Sequence, residues 1–337
     1  MAWIDLLWLG KPLWMWFAFI GIVIALLVLD LGVLHRKQRE IGVRESLAMS
    51  AFYIALGLGF GGWVWWYMGA TAGINYVTGF VIEKSLAMDN VFVIAMIFAY
   101  FGIPRLYQHR VLFWGILGVI VLRAIMIGFG AAAVQQWSWV LYLFAAFLIL
   151  TGIKMWLTDD QPYDVGGSPI LRWVRRSFRV TDELHQQQFW VRLPDPRTGK
   201  AAWFMTPLFL ALLMVEFVDV VFAVDSVPAI FAITTDPFIV YTSNIFAILG
   251  LRALYFALAA MVDRFHYLKY ALALLLVFIG SKIFVADALG LAKIPPVVSL
   301  GVTFAILAGG IAVSLWKTRA TARIGDDGAL PAPSSGV

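Results

Sequence analysis

Three carboxylates interrupt a long apolar run of this chain, within Val215-Glu216-Phe217-Val218-Asp219-Val220-Val221-Phe222-Ala223-Val224-Asp225-Ser226-Val227-Pro228. A carboxylate at the centre of a bilayer costs about 3 kcal/mol or more, so ionisable residues at that depth mark ion pathways and binding sites. Pro228 has no N–H and leaves the carbonyl of Val224 without its helical donor. Carboxylates beside a free carbonyl form an oxygen-rich pocket that suits a cation such as Mn²⁺, Mg²⁺ or Ca²⁺.

The composition is that of a membrane protein. Hydrophobic residues make up 62% of the 337 positions and charged residues only 13%, which is about half the charged fraction of soluble proteins. The absence of cysteine excludes disulfides, thiolate metal sites and cysteine nucleophiles. The formal net charge of +5 comes from basic residues that lie between apolar segments, so we do not expect nucleic-acid binding.

Nine apolar segments are long enough to cross a bilayer, which takes about 20 helical residues. They cover residues 13–34, 46–68, 71–101, 111–134, 138–157, 203–233, 238–262, 269–286 and 296–316. The first is too long for a signal-peptide core and lacks a small-residue cleavage site, so we expect a retained helix. The sequence therefore predicts an all-α polytopic membrane protein with about nine transmembrane helices, embedded in a lipid bilayer.

Lysine and arginine are concentrated in alternate connections. The connection after the first segment holds Arg36, Lys37, Arg39 and Arg44, and later basic connections surround Arg110, Arg176, Arg264 and Arg319. The connections around 69–73, 135–137 and 234–237 have no lysine or arginine, and 287–295 has only Lys293. The positive-inside rule then places the N-terminus outside and the C-terminus in the cytoplasm.

The segments divide the chain into six parts. Residues 1–70 hold two N-terminal spans, 71–157 a first three-helix unit, 158–202 a cytoplasmic loop with local structure, 203–286 a second three-helix unit, 287–317 the final span and 318–337 a disordered tail. The third and sixth spans are each about 31 residues, or about 46 Å as helix against an apolar core of about 30 Å. This excess length predicts a tilt or a break in both.

The two three-helix units resemble each other in sequence. The matches are Asp89-Asn90-Val91 with Asp225-Ser226-Val227, Leu122-Arg123-Ala124 with Leu251-Arg252-Ala253, and Thr151-Gly152-Ile153-Lys154 with Ile279-Gly280-Ser281-Lys282. Because each unit has three helices, the second copy crosses the membrane in the opposite direction. Such inverted three-plus-three repeats are typical of transporters whose substrate site lies at the midplane between the repeats.

A pseudo-two-fold axis between the units would bring the buried acids together. The candidate metal ligands are the carboxylates Glu83, Asp89, Glu216, Asp219 and Asp225 and the neutral groups Asn90, Ser226 and Asn244. The candidate counter-charges or gating residues are Arg123, Lys154, Arg252 and Lys282. The first unit has no counterpart of Glu216 or Pro228, so the site is pseudo-symmetric at best. Salt-bridge pairing between these acids and bases is the structural alternative.

These motifs resemble the TerC/Alx family of bacterial integral membrane proteins, which is related to the LysE-type exporters. The resemblance covers about residues 12–316 and rests on Glu83-Lys84-Ser85-Leu86 through Asp89-Asn90, Val180-Thr181-Asp182-Glu183-Leu184-His185, Thr206-Pro207-Leu208-Phe209-Leu210 and Val215-Glu216 through Pro228-Ala229. It implies a nine-span inner-membrane protein associated with manganese efflux and with tellurium-resistance or pH-regulated loci. It also implies an ion path at Glu83, Asp89, Glu216, Asp219 and Asp225.

We therefore expect a transporter that exports divalent cations, with Mn²⁺ as cargo, no tightly bound cofactor and protons as a candidate coupling ion. The alternative is a metal-binding membrane partner or sensor in a tellurium-resistance or stress system, without net transport. We do not expect an enzyme, because no Gly-x-Gly-Asp and no histidine lies in any span. There is no Walker A motif, so a gradient would supply the energy. Metal selectivity and oligomeric state stay open.

Overall fold

The computed structural model describes residues 5–32, 42–158, 164–195, 199–258, 268–290 and 294–327. The helices of this part are α1 (Leu13–Gly32), α2 (Val43–Met68), α3 (Ala70–Tyr100), α4 (Arg105–Gln136), α5 (Val140–Leu157), α6 (Pro169–Ser177), α7 (Pro207–Phe231), α8 (Pro237–Leu249), α9 (Leu251–Leu258), α10 (Leu268–Ala288) and α11 (Pro296–Asp327). The strands are β1 (Leu7–Trp8), β2 (Lys11–Pro12), β3 (Trp190–Pro194) and β4 (Ala201–Met205). They form two antiparallel hairpins, β1–β2 and β3–β4, which the all-α prediction does not include.

The architecture is that of a multi-pass α-helical membrane protein. Within the described residues, six helices are long and apolar enough to cross a membrane, or seven if α8 and α9 form one bent span. The apolar part of α1, Leu13–Leu29, is shorter, and α3 is not among the six. Each of the nine predicted segments overlaps a helix. The count of nine crossings stays a prediction.

The sequence predicts a tilt or a break in the third and sixth spans, but the break lies in the seventh. Both α3 and α7 run without interruption, and Pro228 lies in the last turn of α7. The seventh span is bent instead, by 40° between α8 and α9 at Gly250. The ammonium of the half-buried Lys84 donates to the carbonyl of Ala247 at 3.0 Å, an acceptor that a continuous helix would give to the N–H of Leu251. A side chain inserted into the helical hydrogen-bond ladder is a recognised cause of a kink.

The sixth span begins later than predicted, because residues from Trp203 onward first complete strand β4. Thr206 then caps α7: its hydroxyl accepts from the N–H of Phe209 at 3.4 Å and donates to the carbonyl of Gln188 at 2.7 Å. Pro207 occupies the first helical turn, where its missing N–H costs nothing. The hairpin β3–β4 therefore leads directly into α7.

The last helix extends beyond the predicted end of the final span. We expect a disordered tail from residue 318, but α11 continues to Asp327. The residues after Trp316 include several alanines and basic residues. These have high helix propensity, so the helix continues beyond the apolar segment. Residues 328–337 lie outside the described part of the chain.

Helices α5 and α10 pack closely through two glycines. A Cβ at Gly152 would lie 2.7 Å from the carbonyl oxygen of Ala273, and a Cβ at Gly280 would lie 2.5 Å from that of Ala145. The two helices are antiparallel, because Gly152, late in α5, faces Ala273, early in α10. In the same bundle α4 packs on α7 and α3 packs on α8.

We predict that Gly152→Ala destabilises the bundle, because the new methyl group meets the backbone of α10 at Ala273 as well as the side chain of Val277. Overpacking of this kind typically costs about 1–3 kcal/mol. The matched control is Gly309→Ala in α11, where a Cβ meets nothing within 4 Å. Thermal unfolding in detergent should give a lower Tm for Gly152→Ala and an unchanged or slightly higher Tm for Gly309→Ala. Equal values would contradict close packing at Gly152.

Candidate cation site

A buried arginine lies at the centre of the polar residues inside the bundle. Arg123 of α4 is 1% exposed and forms salt bridges with Glu83 of α3 and Asp219 of α7. Its Nε and Nη2 donate to the two carboxylate oxygens of Asp219 at 3.2 and 3.0 Å, and its Nη1 donates to Glu83. The bidentate pairing fixes the Asp219 carboxylate in one orientation.

The three neutral candidates contact the same cluster. Ser226 accepts from Nη1 of Arg123 at 2.9 Å. Asn244 donates to Oε2 of Glu83 at 3.0 Å, and its Oδ1 lies 3.4 Å from Nη1 of Arg123. Asn90 donates to Oδ1 of Asp219 at 3.4 Å. Four helices, α3, α4, α7 and α8, thus meet through one hydrogen-bonded group.

Glu216 lies on α7 one turn before Asp219. Its carboxylate fills the space over Gly118 of α4, where any Cβ would collide with it. Its Oε2 is buried and has no hydrogen-bond partner in the described part of the chain. Arg123 thus pairs with Glu83 and Asp219, whereas one carboxylate oxygen of Glu216 has no hydrogen-bond donor in the described part of the chain.

Asp225 belongs to a different group. It accepts a hydrogen bond from Thr151 and lies near the ammonium of Lys154, both on α5. Six residues of helix place it about 120° around the axis from Asp219, so the two aspartates of α7 face different neighbours. The side chain of Asp89 lies outside the described residues, and its predicted proximity to Asp225 stays a prediction.

The remaining basic candidates occupy three environments. Arg252 is 3% exposed and lines a small cavity together with Asn90 and Asp219. Lys282 is buried, donates to Ser299 at 3.3 Å and lines a second, larger cavity. Lys154 is exposed near the end of α5.

The two cavities differ in size and in lining. The small one, of about 20 Å³, lies between α3, α4, α7 and α9 and has room for about one water molecule. The large one, of about 420 Å³, lies between α3, α5, α7, α10 and α11 and carries hydroxyl, amide and charged groups.

Along the helices the charged cluster follows the large cavity and borders the small one, which Asn90 and Asp219 line. Along α3 the order is Thr71 to Thr78 at the large cavity, then Glu83, then Asn90 at the small cavity. Along α7 the order is reversed, as two antiparallel helices require. Thr78 is about 7.5 Å from Glu83 along the helix axis. The larger cavity lies at the predicted outer ends of the helices and the smaller one toward the predicted cytoplasmic ends.

Sequence reasoning missed the polar lining of the large cavity. Thr71, Asn75 and Thr78 line it from α3. Their spacing of four and then three residues places them on one face of the helix, a pattern that the sequence contains. It also missed the contact between Lys84 and α8. The acceptor is a backbone carbonyl, so no side chain in the sequence of α8 indicates the contact.

Within the described residues, no three histidine, cysteine, aspartate or glutamate side chains come together in a group that could hold a metal ion. The chain contains no cysteine at all. A cation at the cluster would therefore have at most two described carboxylates beside it, together with neutral oxygens.

The fold and the cluster define an integral α-helical membrane protein that carries a hydrogen-bonded group of charges inside its bundle. The comparisons identify the family: the chain belongs to the integral membrane protein TerC family, whose model matches residues 68–322. No solved structure matches the chain.

Relatives are similar to this chain over almost its whole length. An uncharacterised membrane protein of Myxococcus xanthus is 47% identical over 92% of this chain and 94% of its own. A Salmonella typhi protein called "Putative membrane-bound redox modulator Alx" is 45% identical over 91% of this chain and 95% of its own. The Escherichia coli K12 protein of the same name is similar to the same extent.

We predict that Arg123→Met strongly destabilises the protein, because it leaves Glu83 and Asp219 buried without their cation. Breaking a buried ion pair in this way typically costs about 3–5 kcal/mol. Removing all three charges, in Arg123→Met with Glu83→Met and Asp219→Leu, should recover part of the loss. Chemical unfolding in detergent measures both variants. A triple variant as unstable as the single one would show that desolvated charge is not the cause.

Proposed function

We propose that this protein exports divalent cations, with Mn²⁺ as its main cargo, through the cluster around Asp219. One observation carries the proposal. Two buried oxygens beside Asp219, Oε2 of Glu216 and Oδ1 of Asn90, have no hydrogen-bond donor in the described part of the chain. Buried acceptors without donors are costly and uncommon. A hard cation would satisfy both of these oxygens together with the carboxylate of Asp219.

The composition of the site favours transport over permanent binding. A conducting site must bind well enough to admit an ion and weakly enough to release it. Asp219 and Glu216 supply two carboxylates, and Arg123 already competes for one of them. Arg123 would hold the acids when no cation is bound and yield part of Asp219 when one enters. Protons are the coupling ion that we propose, because metal ligands must lose their protons to bind.

The two cavities support an exchange between two states. The large cavity gives the cluster a polar approach from the predicted outer side, while the small one leaves room for about one water molecule on the other side. In our proposal the protein is an inner-membrane exporter of nine spans, with its N-terminus outside and its C-terminus in the cytoplasm. Rocking of one inverted three-helix unit against the other would alternate the access.

The antiparallel packing of α5 and α10 supports the inverted repeat. Gly152 and Gly280 are equivalent in the sequence alignment of the two units, and each faces the other unit's equivalent helix. A two-fold axis perpendicular to both helices produces such reciprocal contacts. An axis of this direction lies in the membrane plane, as it does in inverted-repeat transporters.

The alternative is a metal-binding membrane partner or sensor without net transport, which would suit a tellurium-resistance or stress system. The name of the Salmonella typhi relative points to redox balance. Because this chain has no cysteine, we propose that any redox effect here would follow from the handling of metal and not from thiol exchange. Binding is common to both functions, so net flux distinguishes them.

The first test of the proposal is the manganese content of cells after a Mn²⁺ load. Bacteria without their own manganese exporters would carry the wild type, the Glu216→Gln/Asp219→Asn variant, an Asp182→Asn control or no insert. Asp182 is an exposed acid outside the bundle. We expect lower manganese with the wild type and the control, and the level of empty cells with the double variant. Equal manganese in all four strains, with the protein present in the membrane, would contradict manganese export.

A second test separates transport from binding. Purified protein in liposomes that contain a manganese-sensitive dye should move Mn²⁺ across the bilayer, and an internal pH dye should respond at the same time. The Glu216→Gln/Asp219→Asn variant should give neither signal. Binding of Mn²⁺ by the wild type without any flux would favour the partner or sensor function.

A further inference from the structure

The segment between α5 and α7 presents an exposed surface of arginine and tryptophan that the cation site does not use. We call it the Arg–Trp surface and define it by Arg172, Trp173, Arg176, Trp190, Arg192 and Trp203. The three tryptophans are 61%, 41% and 63% exposed. Large apolar side chains that cluster at a surface mark a contact with another molecule or with a membrane.

Helix α6 contributes one half of this surface. Its inner face holds Leu171 and Val174, which are buried in the same core as α7. At 100° per residue, the opposite face carries Arg172, Arg176 and Trp173 in that order around the helix. The helix is therefore fixed to the protein through its apolar side and turns two cations and an indole ring outward.

The hairpin contributes the other half. Arg192 of β3 pairs directly with Trp203 of β4, and paired residues point to the same face of a sheet. Trp190 lies two residues before Arg192 and points to that face as well. One exposed face thus carries an arginine between two tryptophans, while Val191 on the other face is buried.

The β3–β4 hairpin lies beside the first turn of α7, a helix that is long and apolar enough to cross a membrane. Strand β4 ends at Met205 and α7 begins at Pro207. The ring of Trp190 lies 5.0 Å from that of Phe209 in the first turn of α7. The hairpin half of the Arg–Trp surface therefore lies at the predicted boundary between membrane and water, where tryptophan is enriched in membrane proteins.

The charges on the surface are available for a ligand. Arg172, Arg176 and Arg192 form no salt bridge with any residue that the structure describes. The neighbouring Arg179, in contrast, pairs with Asp195 at 3.0 Å. Guanidinium groups present a planar fork of donors that matches the oxygens of a phosphate.

We propose that the Arg–Trp surface binds the phosphate headgroups of anionic phospholipids in the predicted cytoplasmic leaflet. The three arginines contact the phosphates, and the tryptophan rings enter the boundary between headgroups and acyl chains. An acidic protein would satisfy the arginines equally well, but the level of the hairpin at the start of α7 favours lipid. The proposal stands apart from cation export, since none of these residues belongs to the charged cluster.

The experiment uses the absence of cysteine in this chain. Ser177→Cys, at the exposed end of α6, gives a unique thiol for a fluorescent label. The full-length protein is placed in nanodiscs of phosphatidylcholine with or without phosphatidylglycerol, and a lipid with a nitroxide on its headgroup serves as the quencher. We expect quenching of the label to rise with phosphatidylglycerol and to fall again when salt is added, because salt screens surface charge.

Two charge-matched variants decide the assignment. Arg172→Gln/Arg176→Gln should lose the effect of phosphatidylglycerol on quenching. Arg44→Gln/Arg105→Gln removes two exposed arginines from the same predicted side and should keep it. Equal quenching in both lipid mixtures, or equal loss in both variants, would overturn the proposal. A label that responds to a soluble glutamate-rich peptide and not to phosphatidylglycerol would overturn it in favour of an acidic protein partner.

Discussion

The bidentate contact between Arg123 and Asp219 is the interaction on which the interior of this protein depends. Charges removed from water lose several kcal/mol of solvation each, and only close partners restore it. Arg123 reaches two carboxylates, and the amides and hydroxyl of α3, α7 and α8 complete the group. The cluster thus determines how four helices can sit relative to each other.

The contact between Arg123 and Asp219 also leaves the carboxylates of the site unequally satisfied. Glu83 and Asp219 are partnered, whereas Glu216 has an unsatisfied oxygen and room provided by a glycine. In the export that we propose, a cation would meet the less satisfied side of Asp219 first and compete with Arg123 only afterwards. The guanidinium would return to the carboxylate when the ion leaves.

Much of the fold could be predicted from hydropathy, because a bilayer allows little besides long apolar helices. All nine predicted segments overlap helices, and Glu83 and Asp219 of the third and sixth predicted spans both pair with Arg123. The break in the seventh span could not be predicted. It depends on Lys84 reaching a carbonyl of a helix that lies 163 positions away in the chain. The separation of Asp225 from Asp219 could not be predicted either. It depends on which helices pack against each face of α7, and the sequence of α7 alone does not show this.

The reciprocal glycine contact between α5 and α10 has a consequence for the symmetry of the site. An interface in which each helix presents the same surface to the other is the geometry of a two-fold homodimer. The inverted repeat that we propose would have this symmetry within one chain, and the connection between its two units would hold α6 and the β3–β4 hairpin. The first unit has no counterpart of Glu216 or Pro228. A passage between the two units would therefore have two unequal ends.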